Sequence, residues 1–263
     1  MLPRTHNAVD THTHVFRRGL PTIVDARYRP DYDATLAALL AQMNANGISH
    51  GVLVQVSFLG TDNSHLFEAL EAAGGRLRAT VQADSTVPDA VLRDWDRRGA
   101  RGVRLNTVGA SRRPDLASAL WRAFLARLAD LGWHLELHDT GAGLADLLRG
   151  LGGCPAPIIV DHFGYPGASD GFESVLRLAD RQPVYVKLSG PYRQDGADCV
   201  RHARTLLERV GPQRLMWGSD WPHTRFEGVV GYASQRGQLD AWVTDAESRR
   251  TILWDTPAQV FRF

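Results

Sequence analysis

Short apolar runs rich in β-branched residues recur along the chain, each ending in polar or small residues. They fall at 8–16, 51–57, 77–82, 102–106, 133–138, 157–162, 184–189 and 215–218. Between them the apolar positions switch to helical spacing, as in Leu36, Leu39, Leu40 and Met43 or in Leu120, Phe124 and Leu128, with Gly132 placed as a C-cap. The pattern predicts helices over 33–45, 62–73, 87–98, 116–131, 144–151, 172–180, 196–210 and 238–253. Near-continuous apolar strands alternating with helices imply a parallel sheet covered by helices. Eight such units are the number that closes a (β/α)8 TIM barrel, a fold of about 250 residues. A doubly wound open sheet is the alternative, but no Gly-x-Gly-x-x-Gly follows the first strand. Without a linker, repeat or low-complexity segment, residues 1–263 are expected to form a single domain of the α/β class.

Composition narrows the function classes. The 263 residues are 44% hydrophobic and 22% charged, and the formal net charge is +1 with no long like-charge run. A nucleic-acid or membrane-surface partner is therefore not expected. No apolar stretch approaches the roughly 18 residues of a membrane span, and Met1–His6 lacks the apolar core of a leader. Cys154 and Cys199 are too few for a disulfide framework. A reducing cytoplasm is the expected location, and a homo-oligomer stays open. Of the 30 basic side chains only Lys187 is a lysine. It shares the inward phase of Ser189 on its strand, which suggests pairing with an acid inside the barrel.

In a TIM barrel, chemistry sits at the C-terminal ends of the strands. The first strand ends Val9-Asp10-Thr11-His12-Thr13-His14, and two residues of separation put both histidines on one side. The fifth strand ends at His138, the sixth in Asp161-His162-Phe163-Gly164, and the eighth in Trp217-Gly218-Ser219-Asp220-Trp221-Pro222-His223. Four histidines and an aspartate thus converge on one mouth. Neutral imidazole and carboxylate together suit a divalent metal such as zinc or manganese.

These residues, in this order, resemble the signature of the amidohydrolase superfamily. The phrases Val160-Asp161-His162-Phe163-Gly164, Val186-Lys187-Leu188-Ser189-Gly190, Trp217–His223 and Trp254-Asp255-Thr256-Pro257-Ala258-Gln259-Val260-Phe261 are similar to the branch of 2-pyrone-4,6-dicarboxylate lactonases and sugar lactonases. Two departures matter. Binuclear superfamily members bridge their metals with a fourth-strand lysine, whereas here that strand reads Gly102-Val103-Arg104-Leu105-Asn106 and the lysine lies on the seventh. The pyrone-dicarboxylate branch works without metal and carries tyrosine where this chain has His138. The resemblance therefore implies one divalent metal, zinc first, on His12, His14, His138 and Asp220, with a metal-free site as the alternative.

The chemistry so implied is the opening of a lactone by water at a polarised carbonyl. Asp220 would act as general base and then general acid, and His162 would hydrogen-bond the carbonyl or orient the water. A small, anionic substrate is expected from Arg104, Arg112 and Arg193, since guanidinium forks take carboxylates in a bidentate way. Ser57, Asn63 and Tyr28 stand on loops that can add hydrogen bonds, and His223 either touches substrate or packs the eighth loop. Tyr165 occupies the place of an arginine in the dicarboxylate branch, so a mono-acid or aldonolactone fits equally well. A metal-dependent non-oxidative decarboxylase and a non-catalytic barrel binding a small acid are the competing readings.

Overall fold

The apolar runs form eight short strands: β1 (Val9–Thr13), β2 (His50–Val54), β3 (Leu77–Val81), β4 (Ala100–Asn106), β5 (His134–His138), β6 (Ile158–Val160), β7 (Val184–Leu188) and β8 (Leu215–Trp217). In this computed structural model, which describes residues 7–166, 169–194 and 196–263, they pair in parallel and in chain order. Met1–His6, whose sequence lacks a leader's apolar core, lies outside the described residues. Helices α1 (Leu36–Ala45), α2 (Ser64–Ala72), α3 (Asp89–Arg97), α4 (Ala119–Asp130), α5 (Gly141–Arg149), α6 (Ser169–Ala179), α7 (Cys199–Arg209) and α8 (Tyr232–Trp242) alternate with the strands, as the periodicity predicts. One expected helix, 238–253, divides instead. Asp245 accepts from the Ser248 N–H and caps a new helix, α9 (Ala246–Arg250), which runs through a π-turn into α10 (Thr256–Phe261).

Outward-facing strand residues such as Leu53, Val103, Leu135, Val160, Val186 and Trp217 pack with the helices. The inward set is mixed. Val9, Val52, Val54, Ile159 and Met216 close around Phe261 of α10. His134, its ring 5.2 Å from that of Phe261, fills the bore beside them, and a Cβ on Gly102 would lie 2.2 Å from the imidazole, so only glycine leaves it room. Val9 and His12 both face inward although three residues apart, a spacing that a regular strand forbids. The register shift of β1 between Asp10 and Thr13 reconciles them and re-aims the strand's end.

The seam between β8 and β1 is closed mainly beyond the end of β8. The Asp220 N–H donates to His12 O (2.8 Å) and the His14 N–H to Trp221 O (2.9 Å). Asp10 Oδ1 accepts from the Ser219 N–H at 2.9 Å, and Thr11 Oγ1 donates to Trp217 O at 2.8 Å. A Cβ on Gly218 would come within 2.6 Å of His12 Cβ, so glycine permits this close approach.

At mid-height lie four fully or almost fully buried charges. Lys187 Nζ donates to Glu136 Oε2 at 2.6 Å and lies 3.5 Å from Asp161 Oδ1. Arg104 donates from Nε and Nη2 to Asp161 Oδ2 at 3.0 and 2.9 Å. Two acids and two bases therefore balance, and the lone lysine does pair inward with an acid. Removing one partner of a buried pair strands the other. Lys187→Met is accordingly expected to lower the unfolding free energy by about 3–5 kcal/mol in urea titrations, and a loss under about 1 kcal/mol would contradict the pairing.

Candidate active site

The end of β1 and the loop after β8 bring three ligating atoms together. His14 Nδ1 donates to Val54 O at 2.7 Å, which leaves its Nε2 as a bare lone pair 3.6 Å from Asp220 Oδ1. His12 Nε2 lies 3.8 Å from the same oxygen, is buried, and has no hydrogen-bond partner among the described residues. The other Asp220 oxygen, Oδ2, accepts from Tyr192 Oη (2.7 Å) and Arg193 Nε (2.5 Å). Burial alone would raise the Asp220 carboxyl. The Arg193 guanidinium instead holds it well below the usual carboxylate range. Two imidazole nitrogens and one carboxylate oxygen, mutually within 4.8 Å and poor in other partners, form a donor set that fits a divalent cation.

His138, expected as a fourth ligand, stands apart from this set. Its Nδ1 accepts from Arg104 Nη2 at 2.8 Å and its Nε2 lies 2.6 Å from Tyr165 Oη, with the two rings stacked. An arginine can only donate, so Nδ1 is the acceptor and Nε2 carries the proton. His162 packs between the His12 and His138 rings, 4.9 Å from each. Its Nδ1 is 2.9 Å from Ser189 Oγ, and when that hydroxyl donates, Nε2–H remains for the cavity. Burial pushes the His162 imidazole down to about 3 and His12 to about 4, so both are neutral at physiological pH. Asp161, read in the sequence only as part of a phrase, proves central. It holds Arg104 through Oδ2 and approaches His12 Nδ1 at 3.2 Å through Oδ1.

A cavity of about 220 Å³ opens over this floor, lined by His14, His138, His162, Asp220, Arg104, Arg193, Ser57, Tyr28 and Tyr165. Three expected contacts lie elsewhere. Arg112 is exposed and outside the lining, because the loop after β4 turns its neighbour Arg113 onto Asp139. His223 is buried with its Nε2 unpartnered among the described residues, and lines a separate pocket with Tyr32 and Glu227. Asn63 braces the backbone, bonding Thr61 O and Gln82. Residues that strand-end reasoning missed are Arg27, Asn106, Val108, Thr224 and Arg225 in the lining, and Tyr192 on Asp220. Only Asn106 carried a signal, since it closes β4 two residues after Arg104.

Comparison with known proteins places the geometry in context. Residues 9–263 match the protein family described as Amidohydrolase. A 2-pyrone-4,6-dicarboxylate hydrolase of Comamonas testosteroni is 30% identical over 97% of this chain and 90% of its own length. A 4-sulfomuconolactone hydrolase of Rhizobium radiobacter is 32% identical over 97% and 89%. Among solved structures, an Acinetobacter baumannii protein with citric acid bound superposes with a TM-score of 0.90 at 32% identity, covering 98% of this chain and 100% of that one.

The buried imidazoles predict how stability varies with pH. His12, His138, His162 and His134 all have depressed affinity for protons in the fold. The unfolded chain, titrating near 6.5, takes up protons that the fold refuses, each worth up to about 1.4 kcal/mol per pH unit. Asp10 works the other way, because burial raises it to about 6 and the fold keeps a proton that the unfolded chain releases. Four groups outweigh one. Unfolding free energy from urea titrations is expected to fall by several kcal/mol between about pH 6.5 and 4, and a flat profile would refute neutral buried histidines.

Proposed function

The chain belongs to the amidohydrolase family, and from that premise we propose that it hydrolyses a lactone bearing an anionic group, with Asp220 moving the proton. The observation that carries this reading is the division of labour on Asp220. Oδ2 is committed to Tyr192 and Arg193, while Oδ1 faces the cavity beside His12 Nε2 and His14 Nε2. A carboxylate held ionised and oriented in this way accepts a proton from attacking water at Oδ1 and returns it to the leaving alkoxide. His162 Nε2–H, backed by Ser189, donates to the carbonyl oxygen as negative charge develops there. Tyr165 and His138 form a stacked wall that excludes water from one side.

His12, His14 and Asp220 would hold a divalent ion, zinc by the chemistry of the donors. When bound, such an ion supplies Lewis acidity toward a carbonyl oxygen and toward water. Support for the set comes from the orphaned His12 Nε2 and from the His14 tautomer that Val54 imposes. Among the described residues Arg104 Nη1 has no hydrogen-bond partner while Nε and Nη2 hold Asp161 and His138, so it can take a substrate carboxylate without releasing either. Ser57 and Tyr28 flank the same space, and Arg193 reaches it from beside Asp220.

Proton release followed by pH-stat across a lactone panel tests the reaction directly. Asp220→Asn should lower kcat/KM by about a thousandfold, and an undiminished rate would overturn the assignment. Release of CO2 from unsaturated acids, in place of acid from lactones, would favour a decarboxylase. Protein purified without chelator is expected to carry about one equivalent of a transition metal, largely lost in His14→Ala by elemental analysis. Less than about a tenth of an equivalent in the wild type would support the metal-free version.

A further inference from the structure

The contacts that link Arg104, His138 and Tyr165 can run in one direction only. Arg104 Nη2 lies 2.8 Å from His138 Nδ1, and His138 Nε2 lies 2.6 Å from Tyr165 Oη. A guanidinium has no acceptor, so the imidazole proton sits on Nε2; the other tautomer would set two N–H groups head to head. Burial and the charge of Arg104 hold His138 well below its ordinary value, so it carries one proton and not two. Nε2–H must then donate and Tyr165 Oη must accept. A phenol oxygen that accepts on one side still has its own hydrogen to place. Burial pushes the phenol well above its ordinary value, so that hydrogen stays on the oxygen. Among the described residues Tyr165 Oη has no second hydrogen-bond partner, and the space beside it is the cavity that Tyr165 lines.

Both ends of the chain are anchored. Arg104 is clamped on Asp161 through Nε and Nη2, at 3.0 and 2.9 Å, so the first donor cannot turn away. Tyr165 takes the left-handed region at φ +51°, and its N–H donates to His162 O at 3.0 Å. Its ring stands at 83° to the His162 imidazole with 5.7 Å between centroids, so the two side chains border the same space.

We propose that Tyr165 is a catalytic residue whose O–H, made an obligate donor by the one-way chain from Arg104, hydrogen-bonds the oxygen of the reacting carbonyl. With His162 Nε2–H it completes a two-donor oxyanion site. His138 is a positioning residue, since both its ring nitrogens are occupied within the protein. No proton moves along the chain. Each group keeps its own, and the hydrogen bond from Tyr165 strengthens as charge gathers on the carbonyl oxygen during attack by water. Successive donors polarise one another, so the guanidinium charge makes the phenol a stronger donor. This role rests on the lactone hydrolysis proposed above.

Two measurements test the chain and its use separately. Long-range proton–nitrogen correlation spectra of the imidazoles, with His138 assigned by its loss in His138→Gln, should show the Nε2–H tautomer. Its proton should lie far downfield and move upfield in Tyr165→Phe. An Nδ1–H tautomer, or a proton that Tyr165→Phe leaves in place, would overturn the chain. Steady-state kinetics on the best lactone of the panel tests the role. Tyr165→Phe should lower kcat by about a hundredfold while KM moves less than about threefold, because the oxyanion exists only beyond the ground state. His138→Leu should fall as far, and the double variant no further than either single one, because the two act as a unit. His138→Gln, whose oxygen can accept from Arg104 and whose N–H can donate to Tyr165, should recover at least about tenfold over His138→Leu. Lactone turnover that Tyr165→Phe leaves undiminished, or losses that simply add, would overturn the proposal while the hydrolase reading stood. No turnover of any lactone by wild-type protein with the Nε2–H tautomer in place would overturn the hydrolase reading and the catalytic role together.

Discussion

Four charges sealed inside the barrel constrain everything above them. In a medium of low dielectric, Glu136 and Asp161 are tolerable only because Lys187 and Arg104 lie against them, and the reverse holds equally. Each member also carries a second duty. Asp161 borders His12 Nδ1, and Arg104 occupies His138 Nδ1. The orientations of two of the mouth's histidines are thus set from below by an ionic layer that substrate never needs to touch. This is preorganisation in a literal sense, since the donors at the mouth are aimed before anything arrives.

Strain is concentrated just above that layer. Non-glycine residues with positive φ include His162, Phe163 and Tyr165 after β6, and Asp220, His223 and Arg225 after β8. Such conformations persist only where surrounding contacts over-determine them. Here Gln194 Nε2 fixes His162 O, and His12 O fixes the Asp220 N–H. The two strained loops carry the carboxylate, the imidazole and the tyrosine that together shape the cavity, so backbone distortion is found where chemistry is placed.

Much of this was legible from residue spacing. Strand count, alternation with helices and the inward phase of Lys187 follow from periods of 2 and 3.6, which depend only on local geometry. His12, His14, His162 and Asp220 were legible because strand ends in a parallel barrel all open on one face. What escaped lies where spacing carries no information. Nothing in the sequence says that Arg104 and Tyr165 engage both nitrogens of His138, because those contacts join β4, β5 and the loop after β6. Arg112 and Arg113 are indistinguishable until the loop path sends the second to Asp139. Arg27 and Arg225 sit in loops with no periodicity at all, 198 residues apart in the chain.

The seam between the last strand and the first has a consequence for how the molecule comes into being. Thr11 and Trp217, which bond across it, are separated by 206 residues, one of the longest loop closures available to this chain. The atoms that complete the ring, His12 O, the His14 N–H, the Asp220 N–H and Trp221 O, belong to the same residues or their neighbours that build the cavity floor. A nascent chain halted after β7 would have seven strands but no floor. Ring closure and the cavity floor share these hydrogen bonds, so neither is complete without the other.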